Sequence, residues 1–132
     1  MKTYQNWKIK LLMNNKKILL VDDEENLINV VNLWLIKAGY ETTLCYSTEE
    51  ATTNILNNEY DLIFSDVIMP GKINGFDLVE FALQNQPNIK VLLASGYTGG
   101  IEEKRNLDVE VLAKPYRKQF LLAKIQVVLE QP

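Results

Sequence analysis

Short runs of apolar and β-branched residues recur along the chain from Lys16, each followed by a longer stretch of helical spacing, and this alternation restricts the fold more than any other feature. The runs are Ile18–Val21, Thr42–Cys45, Leu62–Ser65, Val91–Ala94 and Val109–Leu112. Four of the five are nearly apolar on both faces. Strands of that kind belong to parallel sheets with helices on either side, and strands alternating with helices build an α/β fold.

The connecting stretches carry helical signals. Across Glu25–Ala38, Leu27, Val31, Trp34, Leu35 and Ala38 mark one buried stripe, and Gly39 supplies the stop. Ser47 with Glu50 three residues on reads as a capping box opening a helix to about Asn58. A third helix runs from about Phe76 to Gln84 and closes before Pro87. The last, Lys118–Leu129, turns Leu121, Leu122, Ile125, Val128 and Leu129 inward. A short helix over Gly100–Asn106 completes a (βα)5 arrangement, a doubly wound five-stranded parallel sheet with helices on both faces. Apolar residues off these stripes, Ile28 and Leu33 on the first helix and Phe120, Ala123 and Val127 on the last, mark candidate docking surfaces. Residues 1–15 read as an N-terminal extension or linker, and 16–130 as the domain.

Composition narrows the chemistry. The length of 132 residues suits one domain with a packed core. With no histidine there is no Ser-His or Cys-His nucleophile system, no imidazole base and no His-ligated zinc in this chain. The single Cys45 excludes an internal disulfide and suits a reducing, cytoplasmic setting. A net charge of -3 without a basic block argues against direct nucleic-acid binding. No apolar run approaches the roughly 20 residues that span a bilayer, and Met1–Asn15 lacks the apolar centre of a signal peptide.

In an open parallel sheet, ligands bind outside the carboxyl ends of the strands. Those ends here are Asp22-Asp23-Glu24, Asp66, Ser95-Gly96 and Lys114-Pro115. Clustered carboxylates call for a neutralising cation, and oxygen-only ligation favours Mg²⁺ or Mn²⁺. A lysine and a hydroxyl opposite them suit phosphoryl oxygens, and an ionised aspartate can itself be a nucleophile. Each piece has a plain structural reading as well: Asp-Asp as a helix cap, Ser-Gly as a turn, Asn74-Gly75 as a tight turn before a helix. Convergence of four strand ends on one rim is what favours chemistry.

Val21-Asp22-Asp23-Glu24, Asp66-Val67-Ile68-Met69-Pro70-Gly71 with Asn74-Gly75, Ala94-Ser95-Gly96-Tyr97 and Ala113-Lys114-Pro115-Tyr116 together resemble response-regulator receiver domains, over about Lys16–Leu129. The resemblance implies a flavodoxin-like fold and a phosphorelay protein that takes a phosphoryl group from a phosphohistidine. It implies Asp66 as phosphoacceptor, Asp23 as direct Mg²⁺ ligand with Asp22 acting through water, and the Ile68 carbonyl as a further ligand. It also implies Lys114 and Ser95 on the phosphoryl oxygens, backbone N–H donors at Val67 and Gly96, and a cis bond before Pro115. The partner is then a sensor histidine kinase or a histidine phosphotransfer domain, and self-association into a homodimer stays open.

The chain departs from the family's pattern in places. Val111 stands where many receivers carry an aromatic toggle, and Tyr97 and Tyr116 are the nearby aromatics. The stretch between Ser95 and Lys114 is short for a helix, and Ser95-Gly96-Tyr97 is a form frequent in hybrid sensor kinases. Ile68 and Tyr97 occupy the positions that tune hydrolysis, and their bulk implies a long-lived aspartyl phosphate. Ending after the last helix, the chain is expected to act through a partner or to be part of a longer protein. The alternatives are an aspartate-nucleophile phosphatase, which wants its nucleophile after the first strand, and a flavin-binding module, which wants a Ser/Thr/Gly-rich phosphate loop there.

Overall fold

The computed structural model describes residues 15–96 and 109–132. They form β1 (Lys17–Val21), α1 (Glu25–Lys37), β2 (Glu41–Cys45), α2 (Thr48–Asn57), β3 (Leu62–Asp66), α3 (Gly75–Asn85), β4 (Lys90–Ser95), β5 (Glu110–Ala113) and α4 (Lys118–Glu130). Four of the apolar runs lie within strands that extend them by at most a residue at either end, and the fifth is shifted by one, with Val109 standing before β5 and Ala113 closing it. The helix expected over Gly100–Asn106 lies outside the described residues.

All five strands are parallel in one sheet of order β2-β1-β3-β4-β5. Successive side chains of a strand point to opposite faces, so an unbroken apolar run must be covered twice. Ile18, Leu20, Leu62, Phe64 and Leu92 pack with Ile28, Val31 and Leu35 of α1 and with Leu121, Ile125 and Val128 of α4. On the other face Leu19, Val21 and Ile63 meet Ala51 and Ile55 of α2 and Leu78 and Ala82 of α3. The fold is therefore the doubly wound α/β layer arrangement that the alternation implies. β2 and β5 lie at the edges and are correspondingly less covered.

Two local readings change. Ile28, expected off the stripe of α1, is 1% exposed and sits at its centre. The helix faces the sheet along Ile28, Val31 and Leu35, while Leu27, Trp34 and Ala38 flank that line half-buried. Leu33 is exposed as expected, and so are Phe120, Ala123 and Val127 on α4. Ser47 does cap α2, accepting from the Glu50 N–H at 3.1 Å, but the Glu50 carboxylate accepts from the Tyr46 N–H and the Ser47 hydroxyl. The reciprocal box is found instead at α3, where Asn74 accepts from the Asp77 N–H and the Asp77 carboxylate accepts from the Asn74 N–H.

The register decides what stands together. β1 pairs with β3 through Val21 and Ser65, so Asp22 and Asp66 leave the sheet side by side. β4 pairs with β5 through Ser95 and Ala113, and the Lys114 N–H donates to the Ser95 carbonyl at 2.9 Å. The chain runs from β1 outward to β2 and then returns to β3 on the other side, the kind of switch point where such sheets hold ligands.

Candidate phosphoacceptor site

Asp22, Asp66 and Ser95 are the buried polar residues at this rim, at 2%, 7% and 3% exposure, and Asp23 beside them is exposed. Asp22, Asp23 and Asp66 each bring a carboxylate oxygen within 4.8 Å of the others. Three hard anionic oxygens so close suit a divalent cation such as Mg²⁺ better than any softer metal, so the residues present fit the ion the strand ends call for.

Lys114 crosses the rim from β5. Its ammonium donates to Asp22 Oδ2 at 3.0 Å, to Glu24 Oε1 at 3.0 Å and to Asp66 Oδ2 at 3.2 Å. The Lys114-Pro115 bond is cis, as the resemblance implies. Burial pulls the lysine downward, but hydrogen bonds to Asp22 and Glu24 and the charges of Asp66 and Asp22 outweigh it, leaving the ammonium well above the ordinary lysine range. Asp66 moves the opposite way to a simple ion-pair partner: burial pushes its carboxyl up, Lys114 offsets part of this, and Asp22 adds repulsion. The two shifts are consistent because one lysine serves three carboxylates. Its charge is secured three times over, and Asp66 receives only a share.

One of the two expected backbone donors is already engaged. The Val67 N–H is committed to the Ala94 carbonyl at 2.8 Å, continuing the strand pairing one residue past Asp66. The Ile68 backbone beside Asp66 favours the ionised carboxylate and offsets a little of the effect of burial. Gly96 lies at the end of β4, where an added methyl would stand 4.0 Å from Lys114 Cβ in ordinary contact. Ile68 is 61% exposed at the edge of the site. Val111 is half-buried against the cluster of Val67, Phe76, Val79, Leu93 and Val109. Tyr116 is part of the packing rather than a surface cover: its ring meets Phe64 edge-on at 5.7 Å, and its buried hydroxyl has no partner among the described residues. Tyr97 lies outside the described residues.

Two residues have larger parts than the sequence reading gave them. Glu24 takes one of the lysine's three hydrogen bonds. Gly75, read as a turn, brings the start of α3 against the backbone of Asp66: its N–H donates to the Val67 carbonyl at 2.7 Å, and a Cβ there would fall 2.2 Å from the Asp66 carbonyl oxygen. Glu24 carried a signal that could have been followed, because glutamate is a poor helix cap where Ser, Thr, Asp or Asn is usual. A groove of about 450 Å³ lies at the opposite end of the strands, around Lys17, Asp61 and Gln86, and holds none of these groups.

Residues 18–126 match the model of the response regulator receiver domain. The chain belongs to that family. The receiver is 31% identical over 119 residues to the regulatory protein VanRB of Enterococcus faecalis, covering 87% of this chain and 53% of that protein. It therefore spans about half the length of that curated relative. Among solved structures, a CheY-like receiver domain from Methanospirillum hungatei superposes with a TM-score of 0.80 at 28% identity, covering 88% of this chain and 94% of that one. The response regulator TrrA of Thermotoga maritima, crystallised in complex with Mg²⁺ and beryllium fluoride, gives 0.76 at 27% identity, with 86% and 98% covered. The receiver is thus a signalling domain of two-component systems, and neither the phosphatase nor the flavin module is retained. Among the described residues no helix is long and apolar enough to cross a membrane.

Proposed function

We propose that Asp66 is the phosphoacceptor, on the observation that its buried carboxylate ends β3 between the Lys114 ammonium and the carboxylates of Asp22 and Asp23. A carboxylate oxygen of Asp66 attacks the phosphorus of a phosphohistidine on a sensor histidine kinase or histidine phosphotransfer domain. The new O–P bond forms as the P–N bond breaks, and the imidazole leaves with the electron pair. With no histidine of its own, this chain needs that donor from elsewhere.

Asp22, Asp23, Asp66 and the Ile68 carbonyl would hold Mg²⁺ or Mn²⁺, with Asp22 acting through water. That ion would offset charge on Asp66 and on the incoming phosphoryl group. The Lys114 ammonium, the Ser95 hydroxyl and the Gly96 N–H hold the product oxygens, and the new contacts shift the population toward the signalling conformation. The domain of 16–130 works in the cytoplasm, binds no nucleic acid itself, and discharges by its own slow autodephosphorylation. TrrA's complex with Mg²⁺ and beryllium fluoride supports this chemistry.

The test is labelling of the purified protein by a small phosphodonor such as acetyl phosphate. We expect Mg²⁺-dependent incorporation, abolished by chelation, into a hydroxylamine-labile acyl phosphate. Label that survives hydroxylamine, or that forms equally without divalent cation, would sink the assignment.

The lifetime of the label carries a second expectation. Ile68 is apolar and cannot position a water on the in-line path to phosphorus. Autodephosphorylation is therefore expected to be slow and to quicken about 10-fold in Ile68→Asn, whose amide can orient water. Rapid loss from the unaltered protein, unchanged or slowed in the variant, would contradict this.

A further inference from the structure

We infer that Glu24 is a positioning residue that competes with the phosphoryl group for Lys114, so that its release sets part of the cost of switching. The inference rests on Asp66 as the phosphoacceptor.

An ammonium has three donors. All three of Lys114's are spent, on Asp22, Glu24 and Asp66, and its side chain is only 10% exposed. A phosphoryl oxygen arriving at Asp66 can be bound by Lys114 only if one of those bonds is given up. Asp22 is the wrong one to lose. Its side chain is 3% exposed, so removing the lysine would leave a buried carboxylate short of a partner. Glu24 is 60% exposed, and water replaces the lysine there at a smaller cost than at Asp22. With Lys114 still holding Asp66, the exchange therefore falls on Glu24.

The local backbone supports this division. The Glu24 N–H donates to Asp22 Oδ1 at 2.9 Å, which fixes the turn after β1 and aims the glutamate across the rim. Glu24 occupies the cap position of α1, yet its side chain makes no capping hydrogen bond there. A residue that breaks the local capping preference and spends its carboxylate on the site's lysine is placed for the site rather than for the helix. The Asp22 carboxylate in turn links both: Oδ1 holds the Glu24 backbone and Oδ2 holds Lys114.

Beryllium fluoride bound with Mg²⁺ serves as the phosphoryl probe, its affinity read by NMR titration of the full chain, with Mg²⁺ affinity measured alone in the same way. Glu24→Gln is expected to bind beryllium fluoride about 2- to 5-fold more tightly, the range an exposed ion pair allows. Its Mg²⁺ affinity should stay within about 2-fold, because Glu24 acts through the lysine. Glu25→Gln removes the same charge one residue on, from an exposed acid outside the lysine's acceptors, and should change neither.

Unchanged or weaker beryllium fluoride binding in Glu24→Gln overturns the inference. So does an equal gain in Glu25→Gln, which would be general electrostatics, or a matching change in Mg²⁺ affinity, which would put Glu24 on the metal's side. Tight binding of beryllium fluoride by Asp66→Asn removes the phosphoacceptor reading itself, and the inference with it.

Discussion

Asp66→Asn is expected to lose phosphodonor labelling by at least about 100-fold and, in metal-free buffer, to raise the urea midpoint. Both effects come from the same carboxylate. In the proposed reaction it supplies the oxygen that bonds to phosphorus, and an amide oxygen of the same shape lacks the charge and basicity to replace it. As a structural element it is a liability. Burial raises its carboxyl above the ordinary range, and Asp22 beside it adds repulsion. A proton on Asp66 therefore favours the folded state. That contribution is present in acid and is lost as the pH rises through the folded-state pKa, so at neutral pH the ionised group opposes folding. Asparagine removes this opposition while still offering an oxygen to Lys114. Mg²⁺ should stabilise the unaltered protein, and stabilise Asp66→Asn less, since one of three close carboxylates has gone. Labelling of Asp66→Asn at the unaltered rate would move the phosphoacceptor elsewhere, and a lowered midpoint would show that the Lys114 contact outweighs burial and repulsion.

This conflict between site and stability explains why so much of the chemistry can be read in the sequence. Four buried or half-buried polar residues, Asp22, Asp66, Ser95 and Lys114, interrupt apolar runs at their carboxyl ends, where packing alone would not put them. The fold was legible for a related reason. β1, β3 and β4 are apolar on both faces because helices cover both sides, and no other layer arrangement buries such runs.

What escaped reading depends on atoms rather than residue types. The apolar spacing of α1 leaves Ile28 off the expected stripe because a 3.6-residue period allows neighbouring lines of apolar residues, and the choice between them rests on how the helix lies on the sheet. The resemblance implies the Val67 N–H as a phosphoryl donor because its position follows Asp66. Whether its N–H is available depends on how far pairing with β4 continues, and here it continues by one bond. The full capping box formed at Asn74–Asp77 rather than at Ser47–Glu50, although both pairs have the right spacing. Lys114's choice of Glu24 likewise follows from a turn geometry that the residue names do not reveal.

Gly75→Ala is expected to destabilise the protein by about 2 to 3 kcal/mol, although alanine is the better helix former. Gly75 is the first residue of α3, held by the hydrogen bond from its N–H to the Val67 carbonyl. The new Cβ would meet the Asp66 carbonyl oxygen at 2.2 Å, Val67 Cα at 2.8 Å and the Asp66 carbonyl carbon at 3.0 Å. All three are backbone atoms, and no side-chain rotation relieves them. Either α3 moves out, which opens the packing of Phe76, Leu78 and Val79, each at most 1% exposed, or the backbone of Asp66 shifts. The second route displaces the nucleophile, so labelling of the folded variant should also fall, on the order of 10- to 100-fold for a shift near 1 Å. Gly96→Ala is the matched control. Its Cβ would stand 4.0 Å from Lys114 Cβ, and its stability should stay within about 0.5 kcal/mol of the unaltered protein. Urea denaturation of the two variants decides the matter: a Gly75→Ala protein as stable as Gly96→Ala would mean that α3 does not press on the phosphoacceptor's backbone, and that the glycine is there for the turn alone.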